Sequence, residues 1–281
     1  MTQIGKHNKL KVVKTVDFGL YLDGKELGEI LLPTRYVPDG CKPGDIIEVF
    51  IYNDSEDRII ATTEQPLAEV DDFAFLKVAA VNPVGVFLEW GLSKDLLVPF
   101  REQSIDMKEG RSYIVRVYLD NKSNRIAASA KLDKFLNDLP PEYDPYEEVD
   151  LFICNDTDIG YKAIINNSHW GMLYKNEVFQ TLKQGQKIKG FIEKIRDDGK
   201  IDLCLQKPGY SQIEEVSAMI LDSIKNSGGF IGLTDKSDPE AIYKMFGISK
   251  KTYKKALGAL YREELILLEK EGIRIKDKDS Q

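Results

Sequence analysis

The chain has 281 residues, 42% of them hydrophobic and 30% charged, enough for about two domains with ordinary cores. Its longest apolar runs, such as LILL at 265–268, fall far short of the roughly 18 residues of a membrane helix, and no apolar signal-peptide core opens it, so no membrane partner and a cytoplasmic address are expected. Net charge −7 argues weakly against a nucleic-acid partner, and Cys41, Cys154 and Cys204 form no CxxC or Cys/His cluster, so they read as small apolar fillers rather than disulfides or zinc ligands.

In chain order the first feature is a unit that recurs. Gly19, Pro33 and Gly44 are followed 66 residues later by Gly85, Pro99 and Gly110, and a further 75 residues on by Gly160, Tyr174 and Gly185. The closing pair Arg58-Ile59 returns as Arg125-Ile126 and then as Lys200-Ile201. Three repeats therefore span about 8–66, 74–135 and 147–210. In the second, FLKVAAV, GVFLEW, DLLVPF, SYIVRVYL and RIAASA read as five strands, separated by NPVG, GLSKD, MKEG and DNKSN. Five short strands in some 60 residues suit the Greek-key OB-fold barrel, which binds oligonucleotides on its strand 2–3 face. An SH3-like barrel serving protein contacts is the alternative.

The acid- and proline-rich NDLPPEYDPYEEVD between the second and third repeats reads as a linker. Beyond KPGYS the period becomes helical. IEEVSAMILDSIKN at 213–226 spaces Ile213, Val216, Ile220 and Ile224 on one face, with Gly228-Gly229 closing the helix. A short strand FIGLT follows, then SDPEAIYKMFG with an Asp cap and Pro at the first helical position, a turn at Gly247, and the helix SKKTYKKALGALYREELI. LILLEKEGIRIK reads as a two-strand wing turning near Glu271-Gly272. Helix, strand, helix, turn, helix and wing is a winged-helix order, in which the second helix of the helix-turn-helix commonly enters a groove. The expected fold class is mainly β with a C-terminal α+β domain. Its expected parts are OB-fold barrels over 1–66, 67–136 and 147–210, a linker over 137–146, and a winged helix over 211–281. Net charge over 1–66, 67–146, 147–210 and 211–281 is −3, −3, −1 and 0, so the C-terminal half is less acidic.

Each repeat resembles a diverged S1 RNA-binding domain. VDFGLYLD is similar to that family's Phe-Gly-x-Phe-Val strand, EILLPTRYV and GMLYKNEV to its Gly-Leu-Val-His-Ile-Ser strand, and DSEDRIIAT to its closing Asp-x-x-x-Arg-Ile. Three S1-like domains followed by a winged helix make the chain similar, over nearly its whole length, to the conserved virulence factor B (CvfB) or YitL-like family. The resemblance puts the family's exposed strand aromatics at Phe18 and Tyr21, at Val84 and Phe87, and at Ile159 and Lys162. Its histidine position falls on Pro33, Pro99 and Tyr174, and its closing acid and base on Asp54 and Arg58, Asn121 and Arg125, and Arg196 and Lys200.

Only the third repeat makes both closing positions basic. Tyr174 with Lys162, Arg196 and Lys200 would join a stacking ring to phosphate-directed cations, whereas a proline can neither stack as an aromatic nor donate, so the first two barrels are expected to bind weakly or to act as spacers. Trp170 can pack over the barrel rim or stack on a base; Phe18 and Tyr21 can line the core or face a ligand. On the helix at about 250–262, Lys251, Lys254, Lys255 and Arg262 share one face opposite Tyr253, Ala256, Leu257 and Leu260. Gly258 lies within the cationic face, where glycine implies a close approach by backbone or ligand.

No P-loop, GxGxxG or metal-ligand cluster occurs. His7 is expected in a disordered tail and His169 as a loop hydrogen-bonder, so no catalytic residue, metal ligand or cofactor is assigned. The expected function is non-catalytic binding of single-stranded RNA by a monomer, on the third barrel and the winged helix, with an effect on gene expression after transcription. A DNA-binding transcriptional regulator, with the barrels as assembly modules, is the alternative.

Overall fold

The computed structural model describes residues 1–137, 139–175, 177–178, 180–206 and 210–276, with side chains throughout these except at 210–215. Ile213, one of the four apolar positions expected on the first helix, thus lies outside the described side chains. The chain divides into two compact halves, Met1–Asp138 and Leu139–Gln281.

The first half holds two five-stranded units. The first comprises β1 (His7–Val16), β2 (Gly19–Asp23), β3 (Glu29–Pro33), β4 (Ile46–Asn53) and β5 (Ile59–Thr62), closed in the order β1-β2-β3-β5-β4. The second comprises β6 (Phe73–Asn82), β7 (Gly85–Glu89), β8 (Leu96–Pro99), β9 (Ser112–Asp120) and β10 (Arg125–Ser129), in the same cyclic order. It differs at one seam. In the first barrel Leu31 of β3 pairs in parallel with Ile60 of β5, while among the described residues β8 and β10 do not pair, leaving a five-stranded open sheet.

In the second half β11 (Glu148–Asp156), β12 (Gly160–Ile165), β13 (His169–Tyr174), β14 (Lys187–Ile195) and β15 (Ile201–Cys204) close a third barrel in the order of the first. The winged helix follows: α1 (Tyr210–Asn226), β16 (Phe230–Ile231), α2 (Pro239–Phe246), α3 (Lys250–Arg262), β17 (Ile266–Leu268) and β18 (Ile273–Ile275), with sheet order β16-β18-β17.

The spacing of the repeats has a steric cause. Gly19, Gly85 and Gly160 each face Pro33, Pro99 or Tyr174 across the hairpin. A Cβ on them would lie 2.1, 2.4 and 2.1 Å from the carbonyl oxygens of Leu32, Val98 and Leu173, so a side chain there would push the hairpins apart. The second repeated glycine serves a bulge. Strands β1, β6 and β11 slip register at Val12/Lys14, Val78/Ala80 and Ile153/Asn155, and the N–H of Gly44, Gly110 and Gly185 donates to the carbonyls of Val12, Val78 and Ile153 at 2.9, 3.0 and 2.8 Å. A bulge bends its strand and increases its twist. Here the bent strand pairs with β2-type and β4-type neighbours in turn, which is how so short a sheet curls.

Alternation fills each barrel, with Leu20, Leu22, Ile30 and Leu32 inside the first and Ala163, Ile165, Leu173 and Leu203 inside the third. Strand β4 is buried on both faces. Val49 and Ile51 point into the first barrel, while Phe50 and Tyr52 join the second core, where Phe50 meets Trp90 edge-on at 5.8 Å. The first two barrels are thereby fused through one strand.

His7 is not in a loose tail. It begins β1, pairs with Phe50 of β4, and its Nδ1 meets a carboxylate oxygen of Glu69. The spacing of its apolar neighbours along β1 carries that pairing, which a lone histidine near the start of a chain does not announce. The stretch expected to be a linker is tethered for much of its length: the Tyr143 hydroxyl bonds His169 Nδ1 at 2.8 Å and the Tyr146 N–H donates to Ile192 O at 2.8 Å. Both of these bonds lie within the second half.

In the winged helix, Asp238 accepts from the Glu240 N–H with Pro239 at the first turn, and Gly247 ends α2 at φ 67°. Ser249 caps α3, whose buried residues are Tyr253, Ala256, Leu257 and Leu260. Gly272 in the wing faces the Ile231 carbonyl, 2.3 Å from where a Cβ would sit, so the wing lies tight on β16. No helix among the described residues is long and apolar enough to cross a membrane.

Candidate nucleic-acid interface

On the third barrel β13 alternates His169, Gly171 and Leu173 inward with Trp170, Met172 and Tyr174 outward and half-buried. Neighbouring strands extend that outer row. Lys162 of β12 pairs with Met172, and Met172 pairs in parallel with Asp202 of β15. Asp202 pairs in turn with Lys194 of β14. Because Ile201 and Leu203 point inward, Asp202 must point to the outer face, yet it is only 3% exposed.

Its cover is polar. Arg196 Nε donates to Asp202 Oδ2 at 2.9 Å, the Tyr174 hydroxyl donates to Oδ1 at 3.3 Å, and Lys194 Nζ lies 3.7 Å away. A second guanidinium nitrogen of Arg196 donates to the Tyr174 hydroxyl, and the guanidinium carbon sits 5.7 Å from the tyrosine ring centre. A buried carboxylate is stable when its lone pairs are met by donors and cations, and here the same bonds fix the ring and the guanidinium beside each other. At the far end of the row Lys162 Nζ lies 3.7 Å from the Trp170 ring centre, a cation–π contact that half covers the indole.

The structure thus brings Lys162, Trp170, Tyr174 and Arg196 onto one face. Lys200 stands at its end, in the β14–β15 turn, paired with Asp198 at 2.7 Å, which holds that carboxyl below its usual range. Asp202, Lys194 and Met172 were not singled out in the sequence, although the alternation of Ile201-Asp202-Leu203 places an acid on the outer row. Chemically the face offers a tyrosine ring and an indole, each beside a cation, Arg196 and Lys162, a combination suited to stacking and phosphate contact. His169 lies behind it as a structural group. Its Nε2 donates to the Leu139 carbonyl at 2.9 Å and its Nδ1 accepts from Tyr143, so both ring nitrogens are engaged.

On α3 the four cations divide. Lys251 reaches Glu177 of the third barrel at 3.6 Å, and Lys251 and Lys255 line a cleft of ≈ 370 Å³ with Tyr146, Glu177, Glu193 and Cys204. Lys254 faces Asp235 at 3.8 Å, and Arg262 Nε bonds the Gly258 carbonyl of its own helix at 3.0 Å. Burial and the facing Glu177 carboxylate push the Glu193 carboxyl above its usual range. A Cβ at Gly258 would meet nothing within 4 Å among the described residues, so none of these requires glycine there. Burial also pushes the thiols of Cys154 and Cys204 up to about 12 and about 11, the reverse of what a reactive cysteine needs.

The first barrel carries its own aromatic pair. Phe18 is 58% exposed, so it is not a core residue, and it meets Tyr21 edge-on at 6.3 Å, with Lys14 Nζ 4.8 Å above the Tyr21 ring. Arg58 is forked onto Asp54 at 2.8 and 2.7 Å. In the second barrel Phe87 and Arg125 line a cavity, and Arg125 pairs with Asp57 of the first barrel. Divided by compact half, Glu142 and Asp144 fall with the third barrel, so the net-charge contrast seen along the sequence nearly disappears. What sets the third barrel apart is local: the joined ring and guanidinium over Asp202.

The chain matches known families near its two ends. Residues 4–64 match the S1 domain model and residues 218–275 the CvfB-like winged helix domain model. Protein YitL of Bacillus subtilis is 26% identical over 271 residues, covering 92% of this chain and 89% of that protein. Conserved virulence factor B of Staphylococcus haemolyticus is 23% identical over 250 residues, covering 85% and 83%. Among solved structures, a multidomain protein with nucleic acid binding domains from Streptococcus pneumoniae covers 97% of this chain and 98% of its own at 23% identity, with a TM-score of 0.41.

Proposed function

We propose that this chain, built from S1-like barrels and a CvfB-like winged helix and similar over most of its length to conserved virulence factor B and YitL, binds single-stranded RNA without catalysis. It does so as a cytoplasmic monomer, on the third barrel and α3, and through that binding influences gene expression after transcription. The observation that carries the reading is the outer row of the third barrel, where Tyr174 and Arg196 are held side by side by the buried Asp202 and Lys162 lies over Trp170. Stacking accepts any base and the cations supply a sequence-blind, salt-sensitive part. Lys251 and Lys255 of α3 line the cleft beside the barrel, opposite Glu177 and Glu193, and would reach a strand that leaves the barrel face only by exchanging these carboxylates for phosphates.

A salt titration tests the α3 part. Reversing Lys251, Lys254 and Lys255 to Glu breaks the Lys251–Glu177 and Lys254–Asp235 pairs, each worth about 0–1 kcal/mol, and sets new carboxylates beside Glu177 and Glu193, so circular dichroism must show the fold intact before affinities are compared. Binding to one fluorescent RNA oligomer should weaken, and the slope of log affinity against log salt should flatten by about 0.7 for each phosphate that α3 no longer neutralises. Parallel lines of equal affinity would remove α3 from the interface.

A further inference from the structure

We propose, on the reading that α3 belongs to the RNA interface, that Glu177 and Glu193 are a built-in competitor for the lysines at the start of that helix, so that RNA binding there takes up a proton and strengthens as pH falls.

The cleft of ≈ 370 Å³ lies between the third barrel and the first turns of α3. Its charged lining is two carboxylates, Glu177 and Glu193, and two ammonium groups, Lys251 and Lys255. Lys251 Nζ stands 3.6 Å from Glu177 Oε1, and while the two signs balance, this end of α3 presents little net field to a phosphate. The pair is not the sole link between barrel and winged helix. Gln206, two residues beyond β15, donates from Nε2 to the Gly247 carbonyl at 3.0 Å, in the turn before α3. A phosphate that takes Lys251 from Glu177 thus leaves a tie in place.

The two carboxyl groups are hydrogen-bonding neighbours. Such a bond needs a proton on one of them, and like charges so close favour protonation of the pair. Burial, and then Glu177, already hold the Glu193 carboxyl above its usual range. The other titratable and charged groups around it are Lys251, which opposes that rise, Asp202, which adds to it, and Tyr146, Cys204 and Lys255 on the cleft wall. Replacing Glu177 by a phosphate on Lys251 leaves the carboxyl pair with one cation fewer and one anion more, so its hold on a proton tightens further. Linkage is reciprocal: a proton that RNA draws in must tighten RNA. Affinity is therefore highest below the free pair's pKa and falls until pH passes the higher pKa of the RNA-bound pair, by at most about tenfold per pH unit for one proton.

The test titrates full-length protein with fluorescent oligouridine, whose bases do not ionise in this range, at pH 5.5 and pH 8 and one salt concentration. Wild type should bind several-fold more tightly at pH 5.5, and calorimetry in two buffers of different ionisation enthalpy should show proton uptake. Glu193→Gln and Glu177→Gln each delete one carboxylate at nearly constant volume. Each should bind several-fold more tightly than wild type at pH 8 and lose most of the pH dependence, whereas a trend carried by His7 or His169 would persist in both variants. Equal pH dependence in wild type and variants, no gain at pH 8, or binding by wild type without proton uptake would each overturn the inference and leave RNA binding standing; the last needs no variant to fold. Absence of RNA binding at either pH would overturn the inference together with the reading on which it rests.

Discussion

Replacing Tyr174 separates a stacking platform from a packing residue. The ring is half-buried, and its hydroxyl is tied to Asp202 at 3.3 Å and to Arg196. Tyr174→Ala removes the ring, and a base stacked on it would lose about 1–3 kcal/mol, which is about 5- to 150-fold in Kd. Tyr174→Phe keeps the ring and leaves Arg196 on Asp202 through Nε at 2.9 Å. A hydrogen bond to a charged group contributes about 1.5–3 kcal/mol when buried; with Arg196 39% exposed, the cost to stability should be nearer 1 kcal/mol, and affinity should stay within about twofold. Asp202→Asn should act in the opposite sense, keeping ring and volume while releasing Arg196 from its charged partner. Affinity is read by fluorescence polarisation on several short oligomers at one salt concentration, and folding by circular dichroism. The weakening by Tyr174→Ala should be similar on every sequence. If Tyr174→Ala leaves affinity unchanged while lowering stability by the 3–5 kcal/mol of a core aromatic, the residue is packing and the platform does not exist.

Glu193 gives a pH test. Its folded pKa is raised, so the stability tied to its protonation is present below the ordinary glutamate value, about 4.3, and is lost as pH rises through the folded value. Glu193→Gln should therefore raise the melting temperature of the second half at pH 7, and the gain should shrink toward pH 4; an equal gain at both pH values would refute it. Gly258→Ala should stabilise α3 by about 1 kcal/mol, because nothing within 4 Å meets the new methyl group. It should also weaken RNA binding if glycine there serves a ligand, and unchanged affinity would take Gly258 out of the interface.

The legible parts of the fold are those where one residue type answers one local demand. Gly19, Gly85 and Gly160 recur because a carbonyl oxygen lies where a Cβ would be, and the 3.6-residue spacing of Tyr253, Ala256, Leu257 and Leu260 is enough to assign their buried face. Asp238, Pro239 and Gly247 mark the ends of α2 by capping chemistry alone. Contacts between elements are written nowhere in so local a code. The third barrel's face depends on Asp202, whose role needs Tyr174 and Arg196 from two other strands. Lys251 reads as a free cation along the helix but faces Glu177 across a cleft. The missing β8–β10 pairing is equally invisible, since LLVP and RIAAS alternate like the strands that do pair.

The central claim, that RNA is held mainly by the third barrel and winged helix, is tested most directly by titrating one fluorescent single-stranded RNA against residues 139–281 and, separately, 1–138, the two compact halves. Residues 139–281 should bind nearly as tightly as the full chain, and 1–138 much more weakly. Equal or tighter binding by 1–138 would move the interface to the exposed Phe18 and Tyr21 of the first barrel and contradict the assignment.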